Sequence, residues 1–97
     1  MRAAFVVLSL LSASSACAPK LIVRHEDPAA TFAQIRLDGE SRGFVQLGES
    51  MTLRPGRGYH RLEAVPRGDA TNPWAADGEG WSVYVDRRAV VTLLPRE

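Results

Sequence analysis

Apolar residues along this chain recur mostly at every second position, the period of a half-buried β-strand. After Thr31, the residues Ala33, Ile35 and Leu37 share one parity while Gln34, Arg36 and Asp38 share the other. This predicts a strand ending at Asp38-Gly39, a pair suited to the positive backbone angles of a tight turn. A break at Arg42-Gly43 precedes Phe44-Val45, and Met51 and Leu53 then alternate with Thr52 and Arg54 as far as Pro55-Gly56. Beyond that pair His60, Leu62 and Ala64 oppose Arg61, Glu63 and Val65, so Pro55-Gly56 is expected to form the tip of a β-hairpin. Residues 66–80, "PRGDATNPWAADGEG", read as a long loop. Trp81, Val83 and Val85 then face one way, with Ser82, Tyr84 and Asp86 opposite, and Asp86-Arg87-Arg88 turns the chain into a last strand over residues 89–94. No segment keeps a helical period. The fold class expected is all-β, a small β-sandwich or barrel of five to six short antiparallel strands.

The start of the chain follows a different pattern. Met1-Arg2 is followed by the apolar run "AAFVVLSLL" and then by "SASSAC", small residues ending at the sole cysteine. That is the layout of an export signal. The apolar run is about half of the ~20 residues a membrane-spanning helix needs, which argues against a permanent span. The segment resembles the bacterial lipoprotein signal, in which small or apolar residues precede an obligatory cysteine that is acylated, with palmitate-type chains, before cleavage in front of it. Ala16 and Ser15 fit that pattern, whereas Ser14 stands where leucine is usual. Cleavage by the general signal peptidase, with Ser14 and Ala16 as the small pair, is the alternative and would release a soluble exported protein. The expected division is therefore residues 1–16 as signal peptide, 17–30 as lipidated N-terminus and tether, and 31–97 as the β-sandwich domain. Within the tether, "LIV" at residues 21–23 is either a first strand or a packed lead-in, and Pro19 and Pro28 discourage a helix across it.

Composition narrows the class. The 97-residue chain holds at most one domain, and one cysteine excludes an intrachain disulfide. Without Arg2, eleven basic residues stand against eleven acidic ones. Such a balance gives no reason to expect nucleic acid or a strongly charged membrane surface as partner.

Candidate chemistry is sparse. "RPGRGYHRLEAV" carries two glycines beside arginines and a histidine, but a phosphate loop needs a helix directly after its glycines, and here a strand follows. His60 sits on the apolar parity of its strand, where an imidazole is more often a core-edge residue than a base. His25 beside Glu26 and Asp27 lacks the further ligands of a metal site. Asp77-Gly78-Glu79-Gly80 lacks the spacing of a calcium loop, and no serine lies in a nucleophile elbow. No enzyme, cofactor or metal is expected. Two aromatic residues remain as candidate binding residues: Trp74 in the long loop and Tyr84 on the polar parity of its strand, able to stack on a sugar ring or peptide. For Trp74 the competing reading is a plug folded back on one end of a small core.

Residues 35–65 resemble the first half of a PEGA domain. Asp38-Gly39, Gly43, Leu53, Pro55-Gly56, His60, Leu62 and Ala64 carry the match, and "WSVYVDRRAVVTLLP" resembles the closing pair of strands. The chain departs from the pattern where Asp69 follows Gly68, and it lacks the four-residue signature that gives the family its name. The resemblance implies a small transthyretin-like sandwich, a non-enzymatic module of bacterial envelope proteins, and supplies no ligand. The reading is a cell-envelope lipoprotein held to the membrane by Cys17, with an envelope protein or polysaccharide as partner. Ala18 after the cysteine favours the outer membrane. The alternative is a soluble periplasmic protein that regulates an envelope enzyme through a sheet edge.

Overall fold

Burial alternates as the sequence pattern requires, and among the described residues it does so in seven strands. The computed structural model describes residues 18–67 and 71–95; the segment expected to be an export signal and Cys17 lie outside them. The strands are β1 (Lys20–His25), β2 (Phe32–Leu37), β3 (Glu40–Gln46), β4 (Ser50–Leu53), β5 (Gly58–Pro66), β6 (Trp81–Val85) and β7 (Arg88–Leu93). They form a three-stranded sheet in the order β4-β1-β7 and a four-stranded sheet in the order β3-β2-β5-β6. The protein is thus an all-β sandwich, and both sheets contribute to one core. Leu21 and Val23 of β1 and Leu93 of β7 meet Ile35, Leu37, Val45, Leu62, Ala64 and Val85 of the other sheet, all buried. Met51, Leu53, Trp81, Val83 and Val91 pack around them half-buried.

Local chemistry fixes the turns. Asp38 (φ 52°) and Gly39 (φ 85°) are both left-handed and close β2 onto β3 in a two-residue hairpin, as their sequence suggested. The ladder then skips from Ile35↔Gly43 to Arg36↔Ser41, so Arg42 is the extra residue of a bulge, and Gly43 takes φ 106° beside it. The long loop from β5 to β6 also joins neighbours in one sheet, and the four remaining connections cross from sheet to sheet. Between β3 and β4 the crossing is tied down by Leu47 N–H to Thr31 O (2.9 Å) and Gly48 N–H to His25 O (2.8 Å).

Four features differ from the sequence expectation. Pro55-Gly56 is not a hairpin tip: β4 pairs with β1, β5 pairs with β2 and β6, and residues 54–57 carry the chain across the sandwich from one sheet to the other. Alternation states which face of a strand is buried, and two strands joined by a turn satisfy it equally by pairing or by facing each other across the core. The triplet "LIV" belongs to a full strand at the centre of its sheet, so the sandwich begins at Lys20, inside the segment read as tether. Third, β1 runs parallel to β7, with Lys20↔Arg88 through His25↔Leu93 in register, in an otherwise antiparallel fold. The described strands number seven where five to six were expected, because residues 20–25 and 40–46 each form a complete strand.

Candidate functional site

The long loop is organised by Asn72, which is 1 % exposed. Its backbone N–H donates to Gly78 O (2.8 Å), its side-chain amide donates to Glu79 O (3.0 Å), and its side-chain oxygen accepts the Trp74 N–H (3.0 Å). Thus held, Trp74 folds inward against the core. Its indole N–H donates to Asp27 Oδ2 (2.9 Å), and its ring meets the buried His25 edge-on, centroids 5.7 Å apart. Asp27 also accepts the Ala29 N–H at Oδ1 (2.9 Å). His25 donates from Nε2 to Ala30 O (2.8 Å) and accepts the Asp27 N–H at Nδ1 (3.4 Å), an arrangement that fits the neutral ring with its proton on Nε2. Trp74, His25 and Asp27 therefore lock the loop and the β1–β2 connection onto one end of the sandwich.

At the other end His60 bridges two elements. Its Nδ1 lies 2.7 Å from Asp38 Oδ2 and its Nε2 3.0 Å from Gly56 O, so both ring nitrogens face acceptors and the imidazolium fits best. Asp38 Oδ1 accepts the Arg61 N–H (2.9 Å). The hydrogen bond to Asp38 raises the His60 pKa above its ordinary value, against the opposing effect of burial and with help from Gly56 O. The same bond, followed by that from Arg61 N–H, lowers the pKa of Asp38. This is a clamp of the β2–β3 turn onto β5 and the crossing after β4. Among the described residues no group of three or more His, Cys, Asp or Glu side chains is gathered to hold a metal ion.

The outer face of the four-stranded sheet carries the aromatic surface. Tyr84 of β6 stands directly opposite Tyr59 of β5, the rings 4.9 Å apart and T-shaped, 52 % and 74 % exposed. Toward the far end of the same face, Phe32 and Gln34 of β2 pair with Gln46 and Phe44 of β3. The two phenylalanines are diagonal neighbours, centroids 6.1 Å apart, and the Arg67 guanidinium lies 5.1 Å over the Phe32 ring. Phe32, Phe44, Gln46 and Arg67 line an open concavity of about 400 Å³. A second, of about 340 Å³, adjoins it across Phe32 and Arg67 and reaches Ala29 and Thr31.

The two aromatic candidates of the sequence are thus separated. Trp74 lies against the core at the end where Asp27 sits, and Tyr84 is on the surface toward the other end. Tyr59, Phe32, Phe44 and Arg67 were not singled out from sequence. A signal for Phe32 existed, since it shares the parity of Gln34 and Arg36, where a polar residue is the norm. Its meeting with Phe44 depends on register across the β2–β3 hairpin and its bulge. No family model matches the chain, and no curated protein or solved structure matches it significantly.

Proposed function

We propose that this chain is a non-enzymatic cell-envelope lipoprotein, acylated at Cys17, whose PEGA-like sandwich binds a carboxylate-bearing glycan of the envelope on the shelf formed by Phe32, Phe44, Gln46 and Arg67. That shelf is the observation that carries the reading. Phe44 is 56 % exposed on a sheet face, where water would ordinarily meet polar side chains. Pyranose rings present C–H faces that stack on such aromatic rings. Gln46 offers both a donor and an acceptor for hydroxyl groups, and Arg67 offers a fork of donors for a carboxylate. The Arg67 guanidinium, 5.1 Å over the Phe32 ring, is drawn there by the cation–π attraction. The anchor is supported by the position of Cys17 at the end of a run with the layout of an export signal, only two residues, Ala18 and Pro19, before β1.

The test is cosedimentation of the purified mature protein with isolated cell-wall glycan, with the mass of its N-terminal peptide read in the same preparation. Wild type is expected to sediment with the glycan, Phe44→Ala and Arg67→Ala to remain largely in the supernatant, and Cys17 to carry a diacylglycerol and one further acyl chain. Phe44 is exposed, so its loss leaves the core intact. Sedimentation indifferent to both substitutions would overturn the shelf, and an unmodified Cys17 would overturn the anchor.

A further inference from the structure

Charges that balance over the whole sequence are not evenly spread over the fold. The N-terminal end of β1 lies where β7 begins: Lys20 N–H donates to Arg87 O (3.0 Å), and Lys20 stands opposite Arg88. On its other side Leu21 pairs with Leu53, which brings Arg54 to the same end. The crossing at residues 54–57 and the two-residue link from Val85 to Arg88 then run side by side, joined by Arg57 to Asp86 at 3.0 Å. Nearby acids are engaged: Asp86 by Arg57, Asp38 by His60, and Glu40 by Arg42. Among the described residues no carboxylate forms an ion pair with Lys20, Arg54, Arg87 or Arg88. The opposite end has Glu26, Asp27 and Glu49 beside Arg24 and Arg67. The two ends are separated by the length of β1, six residues or roughly 20 Å, more than twice the ~8 Å over which salt screens a charge at physiological ionic strength.

The basic end is also the one that the N-terminus reaches. From Cys17 to Lys20 the chain spans three Cα steps, at most about 11 Å. The exposed pair Tyr59 and Tyr84 stands beside it, next to the Gly58↔Val85 pairing. Tyrosine is a residue of the membrane–water boundary, and a basic side chain near an anionic bilayer strengthens association about fivefold.

We infer that this end of the sandwich is a docking surface for an anionic phospholipid bilayer, with Lys20, Arg54, Arg87 and Arg88 against the headgroups and Tyr59 and Tyr84 at their level. The anchor thereby holds the module in one orientation, with the aromatic shelf facing away from the membrane. The inference rests on the lipoprotein reading for the shortness of the tether, and on the charge distribution for the surface itself.

Hydrogen exchange of the mature protein tests it, in vesicles containing phosphatidylglycerol and in vesicles of phosphatidylcholine alone. Residues 54–59 and 84–88 should exchange at least fivefold more slowly in the anionic vesicles, with residues 46–49 and 93–95 unchanged. Arg87→Glu with Arg88→Glu should abolish the difference, and so should Arg54→Glu, which lies on a different connection and guards against a local fold defect. Equal exchange in the two vesicles, or slowing at 46–49 instead, overturns the docking surface. The failure of the anchor reading is read separately, from the mass at Cys17. A chain without acyl groups still reports on this surface when the same comparison is made at millimolar lipid, where the anionic contrast is again required.

Discussion

His60 is held at both ring nitrogens by acceptors on two other elements, which ties a piece of the fold to protonation. Its pKa is raised above 6.5, so its contribution to stability is fully present below about that value and is lost as pH rises through the folded-state value. The pKa of Asp38 is lowered below 3.8, so its contribution is present above 3.8 and lost as pH falls through the lowered value. Both act together between 3.8 and 6.5. The urea midpoint should therefore be highest in that window and decline toward alkaline pH, and His60→Gln should flatten the alkaline limb. In an NMR titration His60 should lose its proton above 6.5, and Asp38→Asn should bring that value back down. An alkaline limb indifferent to His60→Gln would contradict the clamp. Of this pair, the sequence makes the Asp38-Gly39 turn readable, because Asp and Gly both tolerate left-handed angles. It also places His60 on the inward parity. Their meeting was not readable, since it joins residues 22 apart through a sheet register that alternation does not specify.

At the scale of elements, the loop between β5 and β6 behaves as part of the core. Trp74 supplies apolar area to an end of the sandwich, and its N–H satisfies a carboxylate that is 5 % exposed. Trp74→Ala should cost about 3 kcal/mol, the lower end for a core aromatic because the ring is half-buried. Trp74→Phe should recover part of that loss while leaving Asp27 without its indole donor, a hydrogen bond of the charged class worth about 1.5–3 kcal/mol. Urea denaturation followed by the fluorescence of Trp81 measures both. A midpoint unmoved by Trp74→Ala would free the loop as a binding surface. The sequence left Trp74 between plug and platform because the deciding partner, Asp27, lies 47 residues away. Strands over residues 32–37, 58–66 and 81–85 were legible, since each runs long enough for burial to repeat. Strand β1 was left open between strand and lead-in, because three apolar residues between Pro19 and Pro28 give too short a pattern, and its third inward residue is His25, a polar type.

At the scale of the whole molecule, what matters is that the ends differ. The sequence discloses near-neutrality but not the separation of charge, which arises when parallel β7 brings Arg87 and Arg88 beside Lys20. The same arrangement has a mechanical side. If acyl chains hold residue 17 and wall glycan holds the far end, the sandwich is a link under tension between two layers of the envelope. Force then enters along β1, which is hydrogen-bonded on both flanks, to β4 and to β7. Drawing it out means breaking both ladders together in shear, whereas an edge strand such as β6 can be unzipped one pair at a time. Forced unfolding is governed by the unfolding rate, so single-molecule traction between residues 18 and 67 should require distinctly higher force than peeling β6 from residues 81 and 67. A central first strand makes this small domain a stiff tie rather than a loose hook.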